Sequence, residues 1–144
     1  MKSVKAKIIF GLLLIILFLF SNLVTADYTP LENKEVLLLH SYHKDYNWTQ
    51  RIDQGIKDEF KKSQLKVSFK TEYLDTKNYN NQDYFNNLYQ LYRQKYSAKN
   101  FDLIIASDDY ALDFLLKYKA ELFPTTPVVF CGINNFNNIK TKLN

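Results

Sequence analysis

Phe101-Asp102-Leu103-Ile104-Ile105-Ala106-Ser107-Asp108-Asp109-Tyr110-Ala111 decides the fold. Phe101 to Ala106 is a nearly continuous apolar run, as expected of a strand buried on both faces of a parallel sheet. From Ser107 the period changes. Tyr110, Ala111, Phe114, Leu115, Tyr118 and Leu122 recur at helical spacing, and Ser107 is the expected cap. Pro124 blocks continuation of that helix. Pro127 then leads into Val128-Val129-Phe130-Cys131, a further buried run that Gly132 ends. Strand, helix and a second strand of the same kind make a parallel unit.

The same alternation extends back toward the N-terminus. Glu35-Val36-Leu37-Leu38-Leu39-His40 reads as a first buried strand. Thr49 to Ser63 is helical, with Ile52, Ile56 and Phe60 on one face and Asn47 or Thr49 available as a cap. Leu65 to Lys70 alternates apolar and polar residues, which suits an edge strand with one wetter face. Glu72 to Asn81 is a turn-rich crossover. Gln82 to Ala98 is a second helix with an aromatic stripe of Phe85, Leu88, Tyr89, Leu91, Tyr92 and Tyr96. The expected fold is an α/β three-layer sandwich. Right-handed crossovers place its parallel sheet in the order 2-1-3-4.

Residues 1–26 carry a different signal. Lys2, Lys5 and Lys7 precede an apolar run from Ile8 to Phe20, and Val24 and Ala26 are small residues at cleavage-site positions. This is the pattern of a secretory signal peptide. The span Ile8 to Val24 is short of the ~20 residues that comfortably cross a bilayer. Cleavage after Ala26 and a retained anchor both remain open. Either outcome places the rest in the periplasm or another extracytoplasmic space, secreted or held at the inner membrane by residues 8–24. Residues 27–34 read as a linker.

The net charge of +4 is largely a property of this leader. Without its three lysines the chain is nearly neutral, so no nucleic-acid partner is expected. A lone cysteine, Cys131, excludes an intramolecular disulfide framework, and its apolar neighbours suggest a buried thiol.

In doubly wound sheets, ligands bind beyond the carboxyl ends of the strands. Here that rim holds Ser41, Tyr42, His43, Tyr46 and Trp48, then Asp75 and Thr76, then Ser107, Asp108 and Asp109, then Gly132, Ile133 and Asn134. Aromatic rings with hydroxyls and amides suit a small polar or aromatic solute. Ser41 and His43 lie on one loop with no third group and no nucleophile elbow, so no catalytic residue and no enzyme activity are expected. His40 and His43 lack further ligands at metal-binding spacings, so neither a metal nor a cofactor is expected. Acids at Asp108 and Asp109 suit the positive end of a helix as well as a ligand. A phosphoacceptor receiver domain has similar alternation, but needs acids where His40-Ser41-Tyr42 stands.

Four segments together carry a family resemblance. They are Val36 to Tyr42 with Trp48 and Gly55, Tyr73-Leu74-Asp75-Thr76-Lys77, Asp102 to Ala111, and Leu122-Phe123-Pro124 through Pro127 to Asn135. The chain resembles the extracytoplasmic domain, related to ABC-transporter substrate-binding proteins, at the front of many bacterial sensor histidine kinases and diguanylate cyclases. The resemblance spans residues 35 to about 138 and implies one lobe, the N-terminal one, of a type I periplasmic-binding-protein fold. It implies a ligand set of Ser41, Tyr42, Trp48, Asp75, Ser107, Asp108, Gly132 and Asn134. It also implies a second lobe and a cytoplasmic signalling module, or a permease if the protein is instead the substrate-binding component of an ABC transporter. On this reading the chain is partial, and residues 139–144 begin the crossover to the missing lobe.

Overall fold

Strand β1 (Lys34–His40) lies inside the sheet, and every other strand is placed relative to it. The computed structural model describes residues 32–63 and 65–134. The expected signal or anchor, most of the linker and the tail 139–144 lie outside these residues. After β1 come α1 (Asn47–Lys62), β2 (Val67–Tyr73), α2 (Gln82–Lys95), β3 (Leu103–Ser107), α3 (Asp109–Leu122) and β4 (Val128–Cys131). The sheet order is β2-β1-β3-β4, parallel throughout, as the alternation implies. Leu38 faces Thr71 on one side and Ile105 on the other, and Ile105 in turn faces Val129.

Alternation along the strands divides the core between two faces. Leu37, Leu39, Ile104 and Ala106 pack with Tyr92 of α2, with Phe114, Leu115 and Tyr118 of α3, and with Phe123. Val36, Leu38 and Ile105 pack on the other face against Ile56 and Phe60 of α1 and Phe69 of β2. Leu37, Leu38 and Ile104 have no solvent exposure at all. Burying a side chain of this kind contributes roughly 1.5–3 kcal/mol.

Several local expectations need correction. Strand β2 starts at Val67 and runs to Tyr73, not from Leu65 to Lys70, because its ladder with β1 continues to the His40–Tyr73 pair. Helix α2 ends at Lys95 rather than Ala98, yet Tyr96 stays buried and its hydroxyl bonds Glu72. Leu91 and Tyr110, expected inside, are exposed. The expected cap Asn47 or Thr49 gives way to Tyr46, which makes no side-chain capping bond. Thr49 is instead buried.

Strand β4 differs most. Its apolar run suggested burial on both faces, but Val129 and Phe130 are exposed and Cys131 is half-buried. Among the described residues, β4 is an edge strand, as β2 is on the other side, and it pairs only with β3. Phe130 and Val128 line an apolar groove of about 340 Å³ with Leu112, Leu116 and Pro124.

Candidate functional site

Three chain reversals at the carboxyl ends of the strands use left-handed backbone: Asp75 after β2 (φ 51°), Asp108 after β3 (φ 71°) and Gly132 after β4 (φ 69°). Glycine pays no Cβ penalty at positive φ, whereas Asp108, with ψ 170°, occupies a region populated almost only by glycine. Backbone bonds tie these loops together at the ends of the strands: Thr76 N donates to Ser41 O, Ser41 N to Ser107 O and Asp108 N to Cys131 O.

Ser41 is the knot at their centre. Its backbone N–H donates to Ser107 O at 3.1 Å, and its hydroxyl donates to the same oxygen at 2.8 Å. The hydroxyl oxygen accepts the Ala111 N–H at 2.8 Å. Its carbonyl accepts from Thr76 twice, from N at 2.9 Å and from Oγ1 at 2.8 Å. Ser41 is completely buried. Ser107, expected to cap α3, is the last residue of β3, and Asp108 occupies the cap position without a side-chain capping bond. The capping work is done across space by Ser41, which satisfies one of the orphan N–H groups of the first turn. Sequence reading looks for caps next to a helix and has no signal for one supplied 70 residues away.

Asp108 organises the next layer. The Trp48 indole N–H reaches both carboxylate oxygens, at 3.1 and 3.0 Å, and the Ser107 hydroxyl donates to Oδ2 at 3.0 Å. Its backbone N–H donates to Cys131 O at 2.9 Å. Burial pushes the Asp108 carboxyl above its ordinary value, against the lowering effect of the Ser107 and Trp48 bonds. Burial also raises the Cys131 thiol, with Asp108 adding to the shift. A Cβ on Gly132 would stand 3.3 Å from Asp108 Oδ1, so the chain passes the carboxylate closely where only glycine stands. Asn134 binds the neighbouring acid, donating to Asp109 from N at 3.1 Å and from Nδ2 at 3.0 Å.

Over this buried frame lie the aromatic groups. Trp48 is 47% exposed although its N–H edge is tied down, so the ring is both fixed and open to solvent. Tyr42 packs edge-on against Tyr46 at 5.1 Å, and the Lys77 ammonium lies 4.6 Å from the Tyr42 ring centre and 5.3 Å from that of Tyr46. Burial raises the Tyr42 phenol, with Asp108 and Asp109 adding to the shift. Asp75 accepts from Asn78 Nδ2 at 2.9 Å and lies 3.3 Å from His43 Nδ1.

The structure thus brings Ser41, Trp48, Ser107, Asp108 and Gly132 into one connected cluster, with Asn134 joined to it through Asp109. Tyr42 and Asp75 stand beside this cluster, with Tyr46, Lys77 and His43. Ser41 bonds neither histidine among the described residues, because its hydroxyl is committed to the backbone. Among the described residues no group of three or more histidine, cysteine, aspartate or glutamate side chains is placed to hold a metal ion. No helix among them is long and apolar enough to cross a membrane.

Two residues have contacts that their place in the sequence does not reveal. Lys77 reaches the tyrosine rings from a different loop. His40 is buried on the α1 face, stacked on Tyr73 at 5.4 Å, with Nε2 3.4 Å from Asp53 Oδ1. Burial lowers the His40 pKa from its ordinary value despite the pull of Asp53. No family model, no curated protein and no solved structure matches this chain.

Proposed function

We propose that this chain supplies the N-terminal, solute-binding lobe of an extracytoplasmic sensor on a bacterial membrane signalling receptor. The exported location is the reading of residues 1–26, and the receptor is the reading of the four-segment resemblance. The observation that carries solute binding is the pinned, half-exposed Trp48 above a floor whose hydrogen bonds are already satisfied. An exposed aromatic ring held by its polar edge offers a stacking face at little entropic cost. The bonded floor argues for recognition without chemistry, since the buried Ser41 hydroxyl donates to Ser107 O, accepts from Ala111 N and bonds no histidine among the described residues. Tyr42, Asp75 and Asn134 supply polar contacts from three different loops, the usual plan of a small-molecule rim.

Trp48 is the only tryptophan, so its fluorescence reports this site alone. Amino acids, nucleobases, sugars and amines are titrated against the full chain while Trp48 emission is followed. Saturable change with at least one class, lost in Trp48→Phe by a thermal-shift readout, is the expected result. A screen in which no solute shifts either signal overturns the reading. So does turnover of a solute that Ser41→Ala abolishes.

A further inference from the structure

The charge balance of the rim narrows the class of solute, an inference that rests on the solute-binding reading above. Helix N-termini ordinarily attract anions. Here the start of α3 is already served from within: Ser41 Oγ takes the Ala111 N–H, and the carboxylates of Asp108 and Asp109 stand on its first residues. An anionic solute would meet two negative groups at this end of the helix.

Those two carboxylates, like Asp58, Asp75 and Glu121, bond only uncharged groups or histidine, unlike four acids that are neutralised by lysine. Asp53, Asp102, Glu59 and Glu72 each have a lysine within 3.1 Å. Among the described residues neither Asp108 nor Asp109 pairs with lysine or arginine. Their partners are neutral: Trp48 and Ser107 for one, Asn134 for the other. The adjoining rings already attract positive charge, because Lys77 rests over Tyr42 and Tyr46 at cation–π distance. The exposed Trp48, whose indole is the best ring for such contacts, carries no cation among the described residues.

We propose that the rim takes a solute bearing a positive charge, an amine or quaternary ammonium, held by the Trp48 and Tyr42 rings with Asp109 as its counter-charge. Lys77 is then a built-in competitor whose ammonium occupies part of the same aromatic surface until the solute arrives.

The test uses three probes of matched shape, benzylammonium, benzyl alcohol and benzoate, titrated against the full chain with Trp48 emission as readout. Benzylammonium is expected to bind tightest, with benzoate about tenfold weaker or more, the factor that 1.4 kcal/mol of charge preference produces. Lys77→Met should tighten benzylammonium binding, and Asp109→Asn should weaken it about threefold or more, while neither alters benzyl alcohol. Collisional quenching of Trp48 gives a second measurement that needs no bound solute and no variant: each ion's quenching constant, divided by its value for free N-acetyltryptophanamide, should be larger for caesium than for iodide. Equal affinity for alcohol and ammonium refutes the charge assignment and leaves solute binding standing. Tighter benzoate, or a normalised quenching constant larger for iodide than for caesium, refutes it by sign. Silence from all three probes also refutes it, and the broader solute screen then judges the underlying reading.

Discussion

Replacing Ser41 with alanine removes one oxygen and breaks two buried bonds. One is the donation to Ser107 O at 2.8 Å, and the other is acceptance from Ala111 N at 2.8 Å. Ser107 O keeps its bond from the Ser41 N–H. The Ala111 N–H loses its acceptor at a residue with no solvent exposure. A buried donor left unsatisfied costs about 1–3 kcal/mol, and the other bond contributes about 1 kcal/mol. The expected loss is therefore about 2–4 kcal/mol, a large share of the ~5–15 kcal/mol that holds an ordinary domain together. For a domain near this size the melting temperature should fall by roughly 10 °C or more. Urea unfolding followed by far-UV circular dichroism measures the change. Ser63→Ala is the control. That hydroxyl also donates to a backbone carbonyl, Phe60 O at 2.7 Å, but on an exposed helix end where water can replace it. It should cost less than about 0.5 kcal/mol. If Ser41→Ala costs no more than Ser63→Ala, the knot is not structural. Loss of solute binding with stability intact would then make Ser41 a direct contact.

Other perturbations reach the same frame. Gly132→Ala must hold a positive φ and place its Cβ 3.3 Å from the Asp108 carboxylate, so a loss of about 1–2 kcal/mol is expected in urea melts. Asp108→Ala frees the Trp48 indole edge, and acrylamide should quench Trp48 more readily than in Asp108→Asn, which keeps an acceptor. His40 has a depressed pKa in the folded state, so the unfolded chain binds its proton first as pH falls. Its contribution is fully present above the ordinary histidine value of 6.5 and is lost on acidification from there toward the folded value. Replacing His40 with glutamine should flatten that part of the stability-against-pH curve, measured as the urea midpoint.

The sheet order was legible because each strand is a short apolar run and each helix has a clear period. Those signals are local, and right-handed crossovers turn them into a topology. Strand β4 was misread for the complementary reason: a buried strand and an edge strand can have the same sequence, and only the neighbours decide. At the rim, the residue types were visible but their division of labour was not. Ser107 looked like a cap and Ser41 like a solute contact, whereas the hydroxyl that serves α3 belongs to Ser41. Exposure of Tyr110 within an apolar stripe, and Lys77 over two tyrosines, follow from tertiary placement that periodicity does not encode.

The bond from Ser41 to Ala111 has a consequence for how the molecule comes into being. Strand β1 emerges first, but its partner β3 follows more than sixty residues later, as the Val36–Leu103 pair shows. Contacts so distant in sequence slow folding, because the intervening loop must close before any pairing offsets the entropy lost. A nascent chain that ends before Leu103 has β1, α1, β2 and α2, yet its central strand lacks one neighbour and Ser41 lacks the helix it serves. The rim therefore cannot mature ahead of the sheet. Rim and sheet are completed together, once β3 and α3 have both emerged.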